Sequence, residues 1–399
     1  MSKLRIAILG AGPTGLEAAL AAAEAGLPFN IYEAAPSVAG NVRDWGHVRL
    51  FTPWEMNVSP RMRRHLEAAG REILTGSECP TGDDLVERLF EPLVALPGIA
   101  PNLRLGIRVL DIGREGLLKH EEIATAERGR RPFRLLLADG SGREWTETAD
   151  VVIDATGTWG HPNTLGDGGI PAPGERSLAG EIRRDIPDFP AERADWAGKT
   201  ILLAGAGHSA QTAVRALAEL TKEAPETRVV WALRNPEPVW GTHEGDPLPD
   251  RASLAAAAAE IAGGALPAIE ARRGVVVEEI AKPDGRFEVI LRGRRSGAGP
   301  ERIEVDRVLS LTGAVGDHGL YRQLQVHECY ATCGPIKLSA ALLGAGSADC
   351  LAQTTHGADT LTNPEPNFFI LGAKSYGRNN TFLMRIGWEQ VGEVFGLLG

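Results

Sequence analysis

The strongest constraint on this chain is a short glycine turn that occurs twice, each time between an apolar strand-like run and a helical run. Residues 4–9 read as a buried strand, Gly10-x-Gly12-x-x-Gly15 follows, residues 16–25 read as a helix stopped by Gly26, and residues 27–33 read as a second strand. The pattern returns with a strand over 199–204, Gly205-x-Gly207-x-x-Ala210, a helix over 209–220 and a strand over 228–233. Each copy is a βαβ unit whose first glycine permits a tight turn. The second glycine lets backbone approach a pyrophosphate, and the third position brings helix close to strand. A helix N-terminus so placed offers unpaired N–H groups and the positive end of its dipole to phosphates.

A second echo supports duplication. Asp150 leads an apolar strand that leaves through Thr156-Gly157, and Asp306 leads another that leaves through Thr312-Gly313. Two copies of one mononucleotide-binding architecture predict an α/β chain with two Rossmann-like domains. The copies differ where the second strand ends. Glu33 stands there in the first, where a carboxylate accepts a hydrogen bond from a ribose 2′-hydroxyl. Arg234 stands there in the second, where a planar guanidinium suits a 2′-phosphate. That contrast favours NADPH over NADH for the second site. Pro- and Gly-rich stretches over 161–175 and 235–250 read as a domain crossing and as a loop over a cleft, the latter carrying Trp240, His243 and Glu244.

Composition removes several classes. A net charge of −10 without a basic stripe argues against nucleic acid as a partner. The longest apolar stretches are interrupted by Glu17, Glu24 and Glu260, so no membrane span is expected. No signal peptide is read at the N-terminus, and 4 cysteines make no disulfide framework, so a cytoplasmic protein is expected. The 9 histidines show no metal-ligand spacing, and no metal is expected.

Taken together, the residues 10–17, Glu33, Asp154 to Gly157 and 205–210 resemble the two-dinucleotide-binding-domain flavoproteins, and within them most resemble the flavin-containing monooxygenases. The resemblance covers residues 4 to about 390. It implies FAD on the first glycine turn and NADPH on the second, with the NADPH domain (161–306) inserted between two parts of the FAD domain (1–160 and 307–399). It also implies a closing strand over 367–372 and a helix beginning near Thr381 and Phe382, whose N-terminus stabilises reduced flavin. The cofactor-binding set so implied is Gly10, Gly12, Pro13, Thr14, Gly15, Glu33, Trp45, Thr52, Val109, Ala155, Thr156, Gly157, Gly205, Gly207, His208, Ser209, Ala210, Arg234, Gly372, Thr381 and Phe382. The implied reaction is oxygenation of a small soft nucleophile, at nitrogen or sulfur, by O2 through a flavin C4a-hydroperoxide. The alternative is an NADPH-dependent reductase serving a thiol or disulfide, a quinone or a protein acceptor.

The chain departs from that group in two places. The group's signature before the second turn keeps its glycine here as Gly180 but lacks its histidine, and Pro53 replaces an asparagine in the segment expected over the flavin. Asn57 is the candidate replacement for that asparagine, and His356 is the second candidate catalytic residue, facing the substrate cleft. Cys329 and Cys333, separated by 3 residues, read as ordinary thiols outside the usual placement of a redox pair. A small-molecule substrate is expected, and a homodimer is left open.

Overall fold

The computed structural model describes residues 3–241, 248–294, 299–344, 351 and 354–399. His243, Glu244 and Cys350 lie outside the described residues. The chain forms two compact units, Met1–His161 with Ala314–Gly399, and Pro162–Gly313.

The first unit is built on a parallel sheet of β1 (Ile6–Leu9), β2 (Phe29–Glu33), β3 (Leu103–Leu105), β7 (Val151–Asp154) and β15 (Phe368–Ile370), in the order β15-β7-β1-β2-β3. β4 (Ile107–Arg114), β5 (Phe133–Asp139) and β6 (Glu144–Ala149) form a separate antiparallel sheet. β1 is apolar at every position because both its faces are covered. Ile6 and Ile8 join the core beneath the helices Pro13–Glu24 and Met384–Leu398. Ala7 and Leu9 join Ile112, Phe133 and Leu135 of the antiparallel sheet.

The second unit repeats the plan. Its parallel sheet runs β10-β9-β8-β14, from β8 (Thr200–Ala204), β9 (Arg228–Leu233), β10 (Ile269–Arg273) and β14 (Arg307–Ser310). β11 (Val275–Ala281), β12 (Phe287–Gly293) and β13 (Glu301–Val305) form its antiparallel sheet. Ile201 and Leu203 face one core, Leu202 and Ala204 the other. In both parallel sheets the strand before the glycine turn has its βαβ partner on one side and the Thr-Gly strand on the other. Such a reversal of strand order opens a crevice at the carboxyl ends of the strands.

Several boundaries differ from the sequence reading. The first helix starts at Pro13, not at residue 16, because proline's fixed φ and missing N–H suit a first helical turn. The chain leaves the second unit after Gly313 rather than at 307, because β14 pairs with β8. The last helix starts at Met384, not near Thr381. Asn379 accepts hydrogen bonds from the Thr381 amide (3.0 Å) and hydroxyl (2.8 Å), which holds residues 379–381 in an Asx turn instead. A short helix, Ala373–Tyr376, intervenes after β15.

One buried ionic cluster ties the first unit together. Glu365 accepts from Arg114 Nε at 2.6 Å, from Arg128 Nη2 at 2.8 Å and from the Gln325 amide at 2.8 Å. All three charged side chains are at most 1% exposed. Burial draws the Arg114 guanidinium down from its ordinary value, against the pull of Glu365.

Candidate functional site

The first glycine turn has a separate reason for each glycine. Gly10 has φ +94°, and a Cβ there would lie 2.8 Å from the Ala155 carbonyl oxygen. A Cβ on Gly15 would collide with the Gly10 carbonyl oxygen. Gly12 has no atom within 4 Å of its Cβ position, so the turn leaves open space where a phosphate would be admitted. Gly12 is also the N-cap, and no side chain caps the helix. The amides of its first turn are therefore left for another acceptor. Glu33 clamps this turn, accepting from the Ala11 amide at 2.8 Å and the Ala35 amide at 2.9 Å. A carboxylate holding two such bonds keeps lone pairs for a ribose hydroxyl.

Two cavities, of about 530 and 730 Å³, open on the carboxyl ends of β1, β2 and β7 and share Gly10, Glu33, Gly40, Asn41, Thr156 and Gly157. Their sizes fall in the range of cofactor pockets. Gly12, Pro13, Trp45, Thr52, Asn57, Ala155 and Phe382 also line the first. Val109 lines the second. Thr14, Gly15, Gly372 and Thr381 line neither. Thr14 Oγ1 would lie 2.8 Å from a Cβ on Gly372 and 2.7 Å from one on Gly387, so these two glycines let the first helix approach the chain's last segment.

Sequence reasoning missed much of the wall. Trp159, Met384, Arg385 and Trp388 line the first cavity, with Trp159 packed 6.5 Å from Trp45. It also missed Lys374, which donates to Asp154 Oδ2 at 2.5 Å with both side chains at most 1% exposed. Asp154 Oδ1 takes the Thr156 amide (3.2 Å) and hydroxyl (2.7 Å), and Lys374 reaches the same hydroxyl at 3.2 Å. This closed network fixes the Thr156-Gly157 exit where the two cavities meet. The signal was a lysine placed two residues past the Gly372 that was read as the end of the closing strand.

The two candidate catalytic residues fare differently. Asn57 lines the first cavity, but its amide donates to the Thr52 (2.7 Å) and Pro53 (3.0 Å) carbonyls and its oxygen accepts from the Thr52 hydroxyl at 2.8 Å. Its side chain therefore braces the local turn. His356 lines neither cavity, and its Nε2 is buried without a hydrogen-bond partner. Among the described residues, Cys79, Cys329 and Cys333 form no disulfide and line neither cavity.

The second turn repeats the glycine pattern. Gly205 has φ +130°, and a Cβ there would collide with the Leu311 carbonyl. Gly207 again has open space and again caps its helix without a side-chain bond. His208 and Ser209 open the helix His208–Glu223, and Ala210 is fully buried beneath the turn. Trp231 Nε1 donates to the Gly205 carbonyl at 2.8 Å, and Gln211 Nε2 donates to Ala206 (3.0 Å) and Trp240 (3.4 Å) carbonyls. Trp240 packs 5.5 Å from Trp231, so the start of the expected cleft loop is anchored on the core. Arg234 is exposed directly after β9.

Among the described residues, no cluster of side chains is arranged to hold a metal ion, and no helix is long and apolar enough to cross a membrane. The family described as pyridine nucleotide-disulphide oxidoreductase matches residues 4–329. Solved structures align over nearly the whole chain. The bacillithiol disulfide reductase of Bacillus cereus has a TM-score of 0.69 at 17% identity, covering 100% of this chain and 99% of that one. The ornithine N-hydroxylase of Kutzneria sp. 744 has 0.62 at 13% identity, covering 100% and 99%. The thioredoxin reductase of Lactococcus lactis has 0.61 at 15% identity, covering 99% and 98%. At these identities the likeness is one of fold. No curated protein is significantly similar in sequence.

Proposed function

The chain belongs to the pyridine nucleotide-disulphide oxidoreductase family, which binds FAD and a nicotinamide dinucleotide, and from that premise we propose an NADPH-dependent flavoprotein monooxygenase acting on a small soft nucleophile. The observation that carries the reading is the groove over β1, β2 and β7, open at Gly12 and walled by Trp45, Trp159, Phe382, Met384 and Trp388. Bound FAD supplies hydride acceptance and electron transfer to an acceptor. The chain's own part is to hold and shield. The uncapped amides after Gly12 bind the pyrophosphate, Glu33 takes a ribose hydroxyl, and the Asp154–Lys374 pair keeps Thr156 and Gly157 in place. The aromatic wall keeps water away from the reacting edge, which an oxygenating site needs to suppress side reactions. In the second unit, Gly207 and Arg234 bind NADPH.

The likeness to bacillithiol disulfide reductase favours a second reading, in which the electrons go to a disulfide acceptor. Oxygen separates the two. A monooxygenase consumes one O2 per NADPH and yields a product with one added oxygen, and its NADPH turnover stops without air. Equal NADPH turnover in anaerobic solution with a disulfide acceptor would establish the reductase.

Cofactor choice has its own test. Arg234→Ser is expected to raise the KM for NADPH roughly 10- to 100-fold, the worth of about 1.5–3 kcal/mol in charge-assisted hydrogen bonds. The KM for NADH is expected to stay unchanged. A uniform effect on both nucleotides would remove Arg234 from the 2′-phosphate.

A further inference from the structure

The thiols at 329 and 333, which the proposed reaction does not use, sit in a built setting. Glu328 and Pro335 pair across an antiparallel bridge, and residues 329–334 form the tip of that hairpin. The Cys329 amide donates to the Gly334 carbonyl at 2.8 Å, and the Cys333 amide donates to the Cys329 carbonyl at 2.7 Å. A bond from residue i+4 back to residue i sets two α-carbons about 6 Å apart, as one helical turn does. A disulfide spans roughly 4.4–6.8 Å between α-carbons.

Each sulfur has a polar neighbour. Arg378 Nε donates to Cys333 Sγ at 3.2 Å, placing a fixed positive charge on a half-buried thiol. Hydrogen bonds from the Thr332 amide and hydroxyl hold the Cys329 thiol below the usual thiol range. Tyr330 and Ala331, between the two, are exposed, whereas Cys329, Thr332 and Gly334 are buried beneath them. Cys333 also has φ +58°, a backbone conformation that side chains other than glycine rarely adopt.

The tip rests on residues 375–378, next to a wall of the first cavity. The Arg378 amide donates to the Thr332 carbonyl at 2.6 Å, and a Cβ on Gly334 would lie 2.8 Å from the Ser375 carbonyl oxygen. Residues 373–378 carry Ala373, which lines the cavity, and Lys374, which holds Asp154. We propose that Cys329 and Cys333 are a peroxide-sensitive dithiol whose oxidation to an intrachain disulfide acts on this wall.

The chemistry balances with a hydroperoxide as oxidant. The Cys333 thiolate attacks one peroxide oxygen, the O–O bond breaks, and a sulfenic acid forms with release of hydroxide. The Cys329 thiolate then attacks the Cys333 sulfur and expels a second hydroxide. The two thiol protons convert both hydroxides to water, so two thiols and one hydrogen peroxide give one disulfide and two waters. Forming the S–S bond removes Cys333 Sγ from Arg378 and releases the guanidinium against residues 373–378. This chemistry is independent of where the flavin delivers its electrons.

The test uses the FAD-loaded protein and hydrogen peroxide. After treatment, remaining thiols are alkylated and the sites are mapped by mass spectrometry. Cys329 and Cys333 are expected to lose alkylation together, to yield a peptide lighter by two hydrogens, and to recover with dithiothreitol. In Cys329→Ser, a sulfenic acid is expected on Cys333 and is trapped by dimedone. Arg378→Ala is expected to slow alkylation of Cys333 several-fold with flavin content unchanged. Flavin fluorescence is expected to change on oxidation of the wild type and not of Cys333→Ser. The proposal is overturned if both thiols stay alkylatable after peroxide, if Arg378→Ala reacts at the wild-type rate, or if flavin fluorescence ignores the disulfide.

Discussion

Replacing Glu365 by alanine is expected to lower the stability of the first unit by about 3–5 kcal/mol, the cost of leaving a buried charge without its partner. The substitution strands two guanidinium groups that are at most 1% exposed. Arg114 keeps other partners, the Arg131 and Pro366 carbonyls and the ring of Phe133 at 3.6 Å, so it has no short route to solvent. At roughly 2–4 °C per kcal/mol, the fall in Tm is on the order of 10 °C. Glu365→Gln preserves shape but not charge and is expected to fall between the two. A triple replacement of Arg114, Arg128 and Glu365 by apolar side chains is expected to cost less than Glu365→Ala alone, because it removes the unpaired charges as well. Thermal melts of the four proteins, each freed of flavin, decide the matter. A shift under about 2 °C for Glu365→Ala would show that water reaches the arginines.

That cluster also marks where reading the sequence stopped. The glycine turns, the Thr-Gly exits and the strands around them were legible because each is a local pattern set by backbone geometry. Glu365 meets Arg128 across 237 residues and Arg114 across 251, and Lys374 meets Asp154 across 220. No periodicity reports such pairs. The alternation of β1 was hidden for a related reason. Ile6 and Ala7 face different cores, and covering both faces makes every position apolar, so the run looks buried without saying what covers it. Asn57 shows the opposite failure. A polar residue near an expected flavin segment looked free to act, whereas the turn from Thr52 to Asn57 takes up both its donors.

Gly12→Val and Gly15→Ala are expected to fail in different ways, and the contrast tests the cofactor site. Gly12 has extended backbone, φ −84° and ψ −173°, which a β-branched residue adopts freely, and its Cβ position meets nothing within 4 Å. The variant protein is therefore expected to fold, with a loss near 1 kcal/mol at most from the poorer N-cap. The space it fills is the space a pyrophosphate needs. FAD is expected to bind at least roughly 100-fold more weakly, and the purified protein to be colourless. Gly15→Ala instead drives a methyl into the Gly10 carbonyl oxygen, so helix and turn must separate whether or not FAD is present. Its flavin-free form is expected to melt well below that of Gly12→Val. The second unit supplies the control. Gly207 has the same open space, and Gly207→Val is expected to keep its yellow flavin while NADPH no longer bleaches it. If Gly12→Val retained flavin and Gly207→Val lost it, the assignment of the two turns would be reversed.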